Sequence, residues 1–337
     1  MSRGFVVFGL ALIGCGGDDG TGPGGTDGTD SNTGTCDTNR LDADATFPAT
    51  GATNAYYRTT VEFGFVETEA TATITLADSA GADVAGTNEV IEGTRVVFTP
   101  AAPLTPGATY AATLNWSCTA VTSTFTVSDA GDPVGGGDAL VGNTYSLDLA
   151  SGRFIEPPGV GDILETFLTF ELYLGVEAAG AADLTFMGAL ANADGTQDVC
   201  TESIIFPVPA DFTDDPFFSV ESDSLPVEVE GVQVTIDDLV LSGAFTPDGS
   251  AIRGGVLAGS IDTRTLMDVL EMTTEGGVCD LLATFLIDCE PCTDGSVTCL
   301  TVYVDDMDAE IVPGLTLQSV TAADIEANPE CVAPDPT

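Results

Sequence analysis

The strongest constraint on what this chain can fold into is an apolar period of two. Val61, Phe63 and Phe65 share one face of an extended segment, Ala72, Ile74 and Leu76 alternate with Thr71, Thr73 and Thr75, and residues 94–99 form a β-branched run. Tyr110, Ala112, Leu114, Trp116 and Cys118 repeat the alternation, and Val121, Ser123, Phe125 and Val127 close the series. Side chains on a strand point to opposite faces in turn, so this spacing predicts half-buried strands, and no helical stripe competes with it. On such a face the single tryptophan, Trp116, reads as core in preference to a ligand-stacking residue.

The Gly/Pro/Asp stretch 129–138 reads as a linker and domain boundary, and a second β series follows it. Tyr145, Leu147 and Leu149 alternate, then Leu168, Phe170, Leu172 and Leu174, then Leu184, Phe186 and Leu190, with Val227 and Val229 beyond. A long hairpin is the clearest unit. Val232, Val234 and Ile236 lie on one face, Asp237-Asp238 shifts the parity to Leu239, Leu241 and Phe245, and Pro247-Asp248-Gly249 makes the turn. Gly254-Gly255 shifts parity again before Leu257, and paired breaks in facing strands predict bulges and a strongly coiled sheet, as in a barrel or curved sandwich. One helix is expected from a capping box at Thr265–Asp268, with Leu266, Val269 and Leu270 as its stripe and Gly276-Gly277 as its end. A shorter helix is expected over 279–287, and Leu300, Val302 and Val304 predict a late strand.

Composition excludes more chemistry than any motif suggests. The 337 residues carry 53 acids against seven basic residues, all arginine, for a formal charge of −46, with no lysine and no histidine. No Ser-His or Cys-His pair, Schiff-base lysine, phosphate-loop lysine or imidazole metal ligand is available. Such a polyanion repels nucleic acid, whose binding depends on Lys and Arg, and it cannot adhere electrostatically to anionic lipid. Cations are its natural ionic partners, and a surface of this kind suits a saline medium that screens its self-repulsion.

The run Val97-Phe98-Thr99-Pro100, followed by Pro103-Leu104-Thr105-Pro106-Gly107-Ala108-Thr109-Tyr110 and an alternating strand, resembles the bacterial Ig-like domains of secreted and surface-layer proteins. The family usually has an Asp/Gly-rich turn before its last strand, where this chain has Ser117-Cys118-Thr119. The resemblance implies a β-sandwich with a spacer or adhesive role and no catalytic site. The expected fold is therefore mainly β: an Ig-like β-sandwich over 36–128, then a larger disulfide-bonded antiparallel β domain over 139–337, a curved sandwich or barrel with one or two short helices.

At the start of the chain, Arg3 and the ten mostly apolar residues 4–13 are too short to span a bilayer and suit a signal peptide. Leu12-Ile13-Gly14-Cys15 resembles a bacterial lipobox, which implies cleavage after residue 14 and acylation of Cys15; an ordinary secretory signal is the alternative. Gly16 after the cysteine tilts the resemblance toward the outer membrane. Residues 16–35 hold no hydrophobic side chain and read as a solvated Gly/Asp tether spanning about 25 Å.

Setting Cys15 aside leaves eight cysteines, Cys36, Cys118, Cys200, Cys279, Cys289, Cys292, Cys299 and Cys331, an even number that reads as disulfides in an exported chain. Cys36–Cys118 and Cys292–Cys299 are the economical pairings; a four-cysteine zinc site and a C-x-x-C dithiol at Cys289–Cys292 are competing readings. In the acidic run 305–310, Asp306, Asp308 and Glu310 are weak calcium candidates weighed against a solvated face, and no other cofactor is expected. The expected function is a non-catalytic, lipid-anchored cell-envelope protein that is structural, adhesive or engaged with a protein or surface polymer. Two alternatives are a carrier with a cavity in the C-terminal domain and a hydrolase built on two carboxylates.

Overall fold

Most of the alternating segments become strands; Leu168 and Phe170 lie outside the described residues. The computed structural model describes residues 38–147, 149, 152–157, 171–229, 232–267, 272–274, 276–285 and 287–331, which belong to one compact unit. The first seven strands are β1 (Leu41–Phe47), β2 (Val61–Phe65), β3 (Thr73–Asp78), β4 (Gly86–Ile91), β5 (Arg95–Pro100), β6 (Thr109–Asn115) and β7 (Val121–Thr126). They form two antiparallel sheets, ordered β1-β2-β5-β4 and β3-β6-β7. Their inward residues, among them Phe63, Ile74, Leu76, Leu114 and Phe125, make one core. Fully burying such side chains contributes about 1.5–3 kcal/mol each. Asn88 on β4 ties the sheets at one edge, accepting from Ile74 N at 2.7 Å and donating to Ile74 O at 3.0 Å. Trp116 is half-buried rather than fully buried; its ring lies 5.4 Å from that of Phe65 and its Nε1 donates to Thr119 O.

The second module contains β8 (Thr144–Leu147), β9 (Arg153–Glu156), β10 (Leu172–Ala179), β11 (Asp183–Leu190), β12 (Ile204–Ile205), β13 (Ala210–Asp214), β14 (Phe217–Val229), β15 (Val232–Phe245), β16 (Ala251–Asp262), β17 (Glu290–Pro291) and β18 (Val297–Ile311). Its main ring runs β8-β18-β16-β15-β14-β13-β11-β10, and β10 also pairs with β8, so eight antiparallel strands close a barrel. Closure removes the sheet edges. The bulges fall where the sequence changes parity: the β15–β16 register shifts between Asp237 and Val240, and β16–β18 shifts on both sides of Gly255. Asp238 and Gly254 there have positive φ, 51° and 59°. Such breaks supply the local bend that a closed sheet requires.

Among the described residues an aromatic and aliphatic cluster packs inside the barrel. Tyr145, Phe186, Phe212, Phe218 and Phe245 form a chain of ring contacts 5.0–6.0 Å apart, with Leu140, Leu184 and Leu239 packed among them. The helical expectation is corrected in detail. Thr263–Leu266 is a short 3-10 turn capped by Asp262, whose carboxylate accepts from Arg264 N, and Thr265 donates its hydroxyl to Asp262 O instead of serving as a cap. Asp268, Val269 and Leu270 lie outside the described residues. Gly276-Gly277 starts a helix instead of ending one: Gly276, at φ 79°, reverses the chain into α1 (Gly277–Ala283). A second helix, α2 (Ala322–Ala327), opens with a Thr321/Asp324 capping box.

Candidate functional site at the junction of the β modules

The stretch expected to be a free linker is latched. Val134, Gly135 and Gly136 donate consecutive backbone N–H groups to the Asp215 carboxylate at 2.8, 3.0 and 3.0 Å, and Ala130 and Gly137 are buried. Successive amides cradling one anion form a compact charge-assisted clamp.

Two arginines cross the same junction. Arg58, from the loop before β2, pairs with Asp214 at the end of β13, and its guanidinium lies 4.2 Å over the Phe217 ring. Arg153 on β9 reaches the other way, to Glu62 on β2 at 3.0 Å, while gripping Asp305 on β18 in a bidentate pair at 2.8 and 2.7 Å. Its guanidinium also sits 3.7 Å over the Phe47 ring. Burial alone would lower the Arg153 pKa, but the hydrogen bonds and charge of Asp305, then of Glu62, outweigh it and hold the group above the ordinary arginine value. Glu62 is buried on a strand whose five positions are all covered, because Arg153 and Arg95 meet its outer face. Ala244 of the barrel packs into the sandwich core, and the Tyr56 ring lies flat on Gly254, where a Cβ would come within 2.1 Å of Tyr56 Cγ.

Between these contacts lies a cavity of about 100 Å³ lined by Phe47, Tyr56, Thr60, Tyr303 and Asp306, with Thr59 and Arg58 at its wall. Asp306 has φ 55°, a strained conformation for a residue with a Cβ, at the bulge of β18. Although Asp306 reaches the surface, the protein packed around its carboxyl, then the charges of Asp308 and Asp305, push its pKa up to about 6 against the opposing pull of Arg153. Burial, then Asp305, raises Tyr303, and burial raises Tyr56.

The calcium candidates are separated by this geometry. Asp308 and Glu310 turn to Arg253, at 3.6 and 2.6 Å, while Asp306 faces the cavity. Among the described residues no group of three or more Cys, Asp or Glu is placed to hold a metal ion. The C-x-x-C cysteines bond outward, Cys289 to Cys279 and Cys292 to Cys299, and Cys200 bonds to Cys331, so the zinc and dithiol readings are set aside. Cys118 is also disulfide-bonded; Cys36 and Cys15 lie outside the described residues. Arg58, Arg153, Tyr56 and Asp215 were not singled out in the sequence. The available signal was scarcity: the six described arginines, of seven in the chain, all sit in ion pairs.

Residues 37–130 match the bacterial Ig-like domain family, so the first module is an Ig-like domain joined to a disulfide-bonded antiparallel barrel. No curated protein matches the chain. Among solved structures, an L,D-transpeptidase in complex with imipenem is similar at 12% identity over 47% of this chain and 78% of that one, with a TM-score of 0.22. An L,D-transpeptidase from Mycobacterium smegmatis is similar at 13% identity over 59% and 75%, with a TM-score of 0.23. The transferrin-binding protein B of Haemophilus parasuis is similar at 12% identity over 74% and 50%, with a TM-score of 0.22. Scores this low carry no argument about this chain.

Proposed function

We propose that the protein is a non-catalytic lipoprotein of the bacterial cell envelope, anchored through Cys15 to the outer membrane and displaying two β modules as one stiff body toward a protein or surface-polymer partner. The observation that carries this reading is the junction. The Asp215 clamp, the Arg58 and Arg153 bridges and the Tyr56–Gly254 contact hold the modules in one orientation, which suits a spacer or display element. The Ig-like match supports a surface role. The aromatic cluster packed inside the barrel argues against the carrier alternative, and the commitment of Asp305 to Arg153 leaves the junction cavity without a free carboxylate pair for hydrolysis.

The test is the intact mass of the mature protein with and without reductant, alongside Cys15→Ser. The expected result is a chain beginning at an acylated Cys15 that gains two hydrogens per disulfide on reduction, and a Cys15→Ser form that loses acylation and membrane association. An unacylated mature protein, or a Cys15→Ser form that stays with the membrane, would overturn the anchor.

A further inference from the structure

We propose that residues 312–331 are a strap across the outer wall of the barrel, and that the Cys200–Cys331 disulfide is a reducible latch whose opening frees the strap and uncovers a largely apolar face of β8, β10 and β11. Tyr145, Leu174, Val176, Leu184 and Phe186 belong to the barrel core, so by strand alternation Thr144, Tyr173, Gly175, Met187 and Ala189 point outward. The pairs Gly175–Thr144, Gly175–Met187 and Tyr173–Ala189 set them side by side. The outer face of a barrel ordinarily meets water, yet Thr144, Tyr173, Met187 and Ala189 are only 1–2% exposed. The strap and the loop over residues 191–203 are the cover. Leu317 lies against Gly175, where a Cβ would come within 3.0 Å of Leu317 Cδ1, and Gly195 of the loop approaches the Tyr173 hydroxyl. Gln318 N donates to Gln197 Oε1 at 2.9 Å and Gln197 Nε2 donates back to Gln318 O at 2.7 Å. Ser203 N donates to Val320 O at 3.0 Å, and Val320 N to Ser203 Oγ at 2.9 Å.

The strap is built to lift. Beyond Ile311 it joins no sheet, and segments with few ladder hydrogen bonds open at the lowest free energy. From residue 321 to Cys331 nothing is buried and α2 has no buried side chain, so the bond to Cys200 is what ties down the far end. Closure also leaves Thr144 Oγ1 buried with no hydrogen-bond partner. A buried hydroxyl without a partner opposes closure, and lifting the strap returns it to water. Cys200 is exposed, whereas Cys279, Cys289 and Cys292 are half-buried and Cys299 is buried, and disulfide exchange is governed by access. The reductant is an external dithiol. One of its thiolates attacks Cys200 Sγ, the Cys200–Cys331 bond breaks, and Cys331 leaves as a thiolate that takes a proton from water. The second thiol of the reagent, as its thiolate, attacks the mixed disulfide, so Cys200 leaves as a thiol and the reagent departs as a disulfide. The cysteine pair gains the two electrons that the dithiol loses.

The experiment is hydrogen-exchange mass spectrometry of the full-length protein in non-ionic detergent, before and after brief treatment with dithiothreitol. The double variant Cys200→Ser/Cys331→Ser, measured without reductant, serves as a form that is open throughout. Peptides covering 312–331 are expected to exchange about tenfold faster in both open forms, while those covering 239–245 in the barrel core keep their protection. Met187 is expected to become oxidisable by hydrogen peroxide in the open forms, while Met307, 2% exposed elsewhere in the barrel, stays inert. Alkylation after the brief treatment should label Cys200 and Cys331 ahead of the cysteines of the other two barrel disulfides. Unchanged exchange in the strap, or a Met187 as inert as in the oxidised protein, overturns the proposal. Exchange that rises equally over 239–245, or Met307 oxidised alongside Met187, overturns it too, because the bond would then staple the whole barrel. Earlier reduction of the other pairs overturns the latch. Cys15 takes no part in the strap, so failure here is distinguishable from failure of the anchor.

Discussion

Asp306 combines positive φ, like-charged neighbours and a carboxyl that the surrounding protein screens in part from water although the residue is exposed, so its titration reports on the junction. A free aspartate titrates near 3.9, whereas this one is pushed up to about 6. Between those values the folded protein holds a proton that the unfolded chain has released, so the contribution of Asp306 to stability is present at low pH and is lost as pH rises through about 6. Asp306→Asn, uncharged at every pH, is therefore expected to melt about 1–3 °C higher than the parent near pH 8, with the gap closing toward pH 4. A gap independent of pH in thermal melts would show that the charge is not the cause. The charged and titratable groups facing or lining the cavity are Asp305, Asp308, Arg153, Arg58, Tyr56 and Tyr303. The acidic run was visible in the sequence, but which of its members stayed unpaired was not. Arg253 claims Asp308 and Glu310 from β16, and Arg153 claims Asp305 from 152 residues away.

The decisive element is the stretch between the modules. Its glycines let three successive amides converge on Asp215, and Gly135 and Gly136, at φ 92° and 118°, adopt conformations that favour glycine. Asp215→Ala is expected to cost about 1–3 kcal/mol and to make residues 129–138 a preferred site of limited proteolysis in a chain whose modules remain folded. Cleavage no faster than in the parent would show that the clamp is not what holds the stretch. Composition alone reads this segment as a loose connector. Its latch depends on an acid about 80 residues away, and nothing local to the segment announces that acid. The strands were legible because alternation is local, and so were the parity breaks at Asp237-Asp238 and Gly254-Gly255. The 3-10 turn at Thr263 was misread because Asp262, accepting from Arg264 N, caps the chain three residues earlier than the Thr265 pattern implies.

Over the whole molecule, 53 acids and seven arginines set two effects against each other. Salt weakens the arginine bridges, but it also screens the mutual repulsion of far more numerous carboxylates, and the larger number should prevail. The melting temperature is expected to rise by about 5 °C or more between 10 mM and 1 M sodium chloride, as the screening length falls from about 30 Å to about 3 Å. A melting temperature that falls with salt would mean that the junction bridges dominate stability. The Ig-like sandwich and a coiled C-terminal sheet were both legible at this scale, since each follows from strand spacing and turn chemistry. Closure was open between a barrel and a curved sandwich until β10 was seen to pair with both β8 and β11.

By itself, the sequence determined the β architecture, the pairing tendency of its cysteines and the exclusion of imidazole and lysine chemistry, because period, parity and composition are properties of the chain taken a few residues at a time. The tertiary structure alone decided that the barrel closes around an aromatic core, that the connector is clamped, and that a pocket is left at the junction. Those outcomes rest on partners such as Arg58 and Asp214, 156 residues apart, and with acids so abundant the sequence offers each arginine many equivalent choices until the fold selects one.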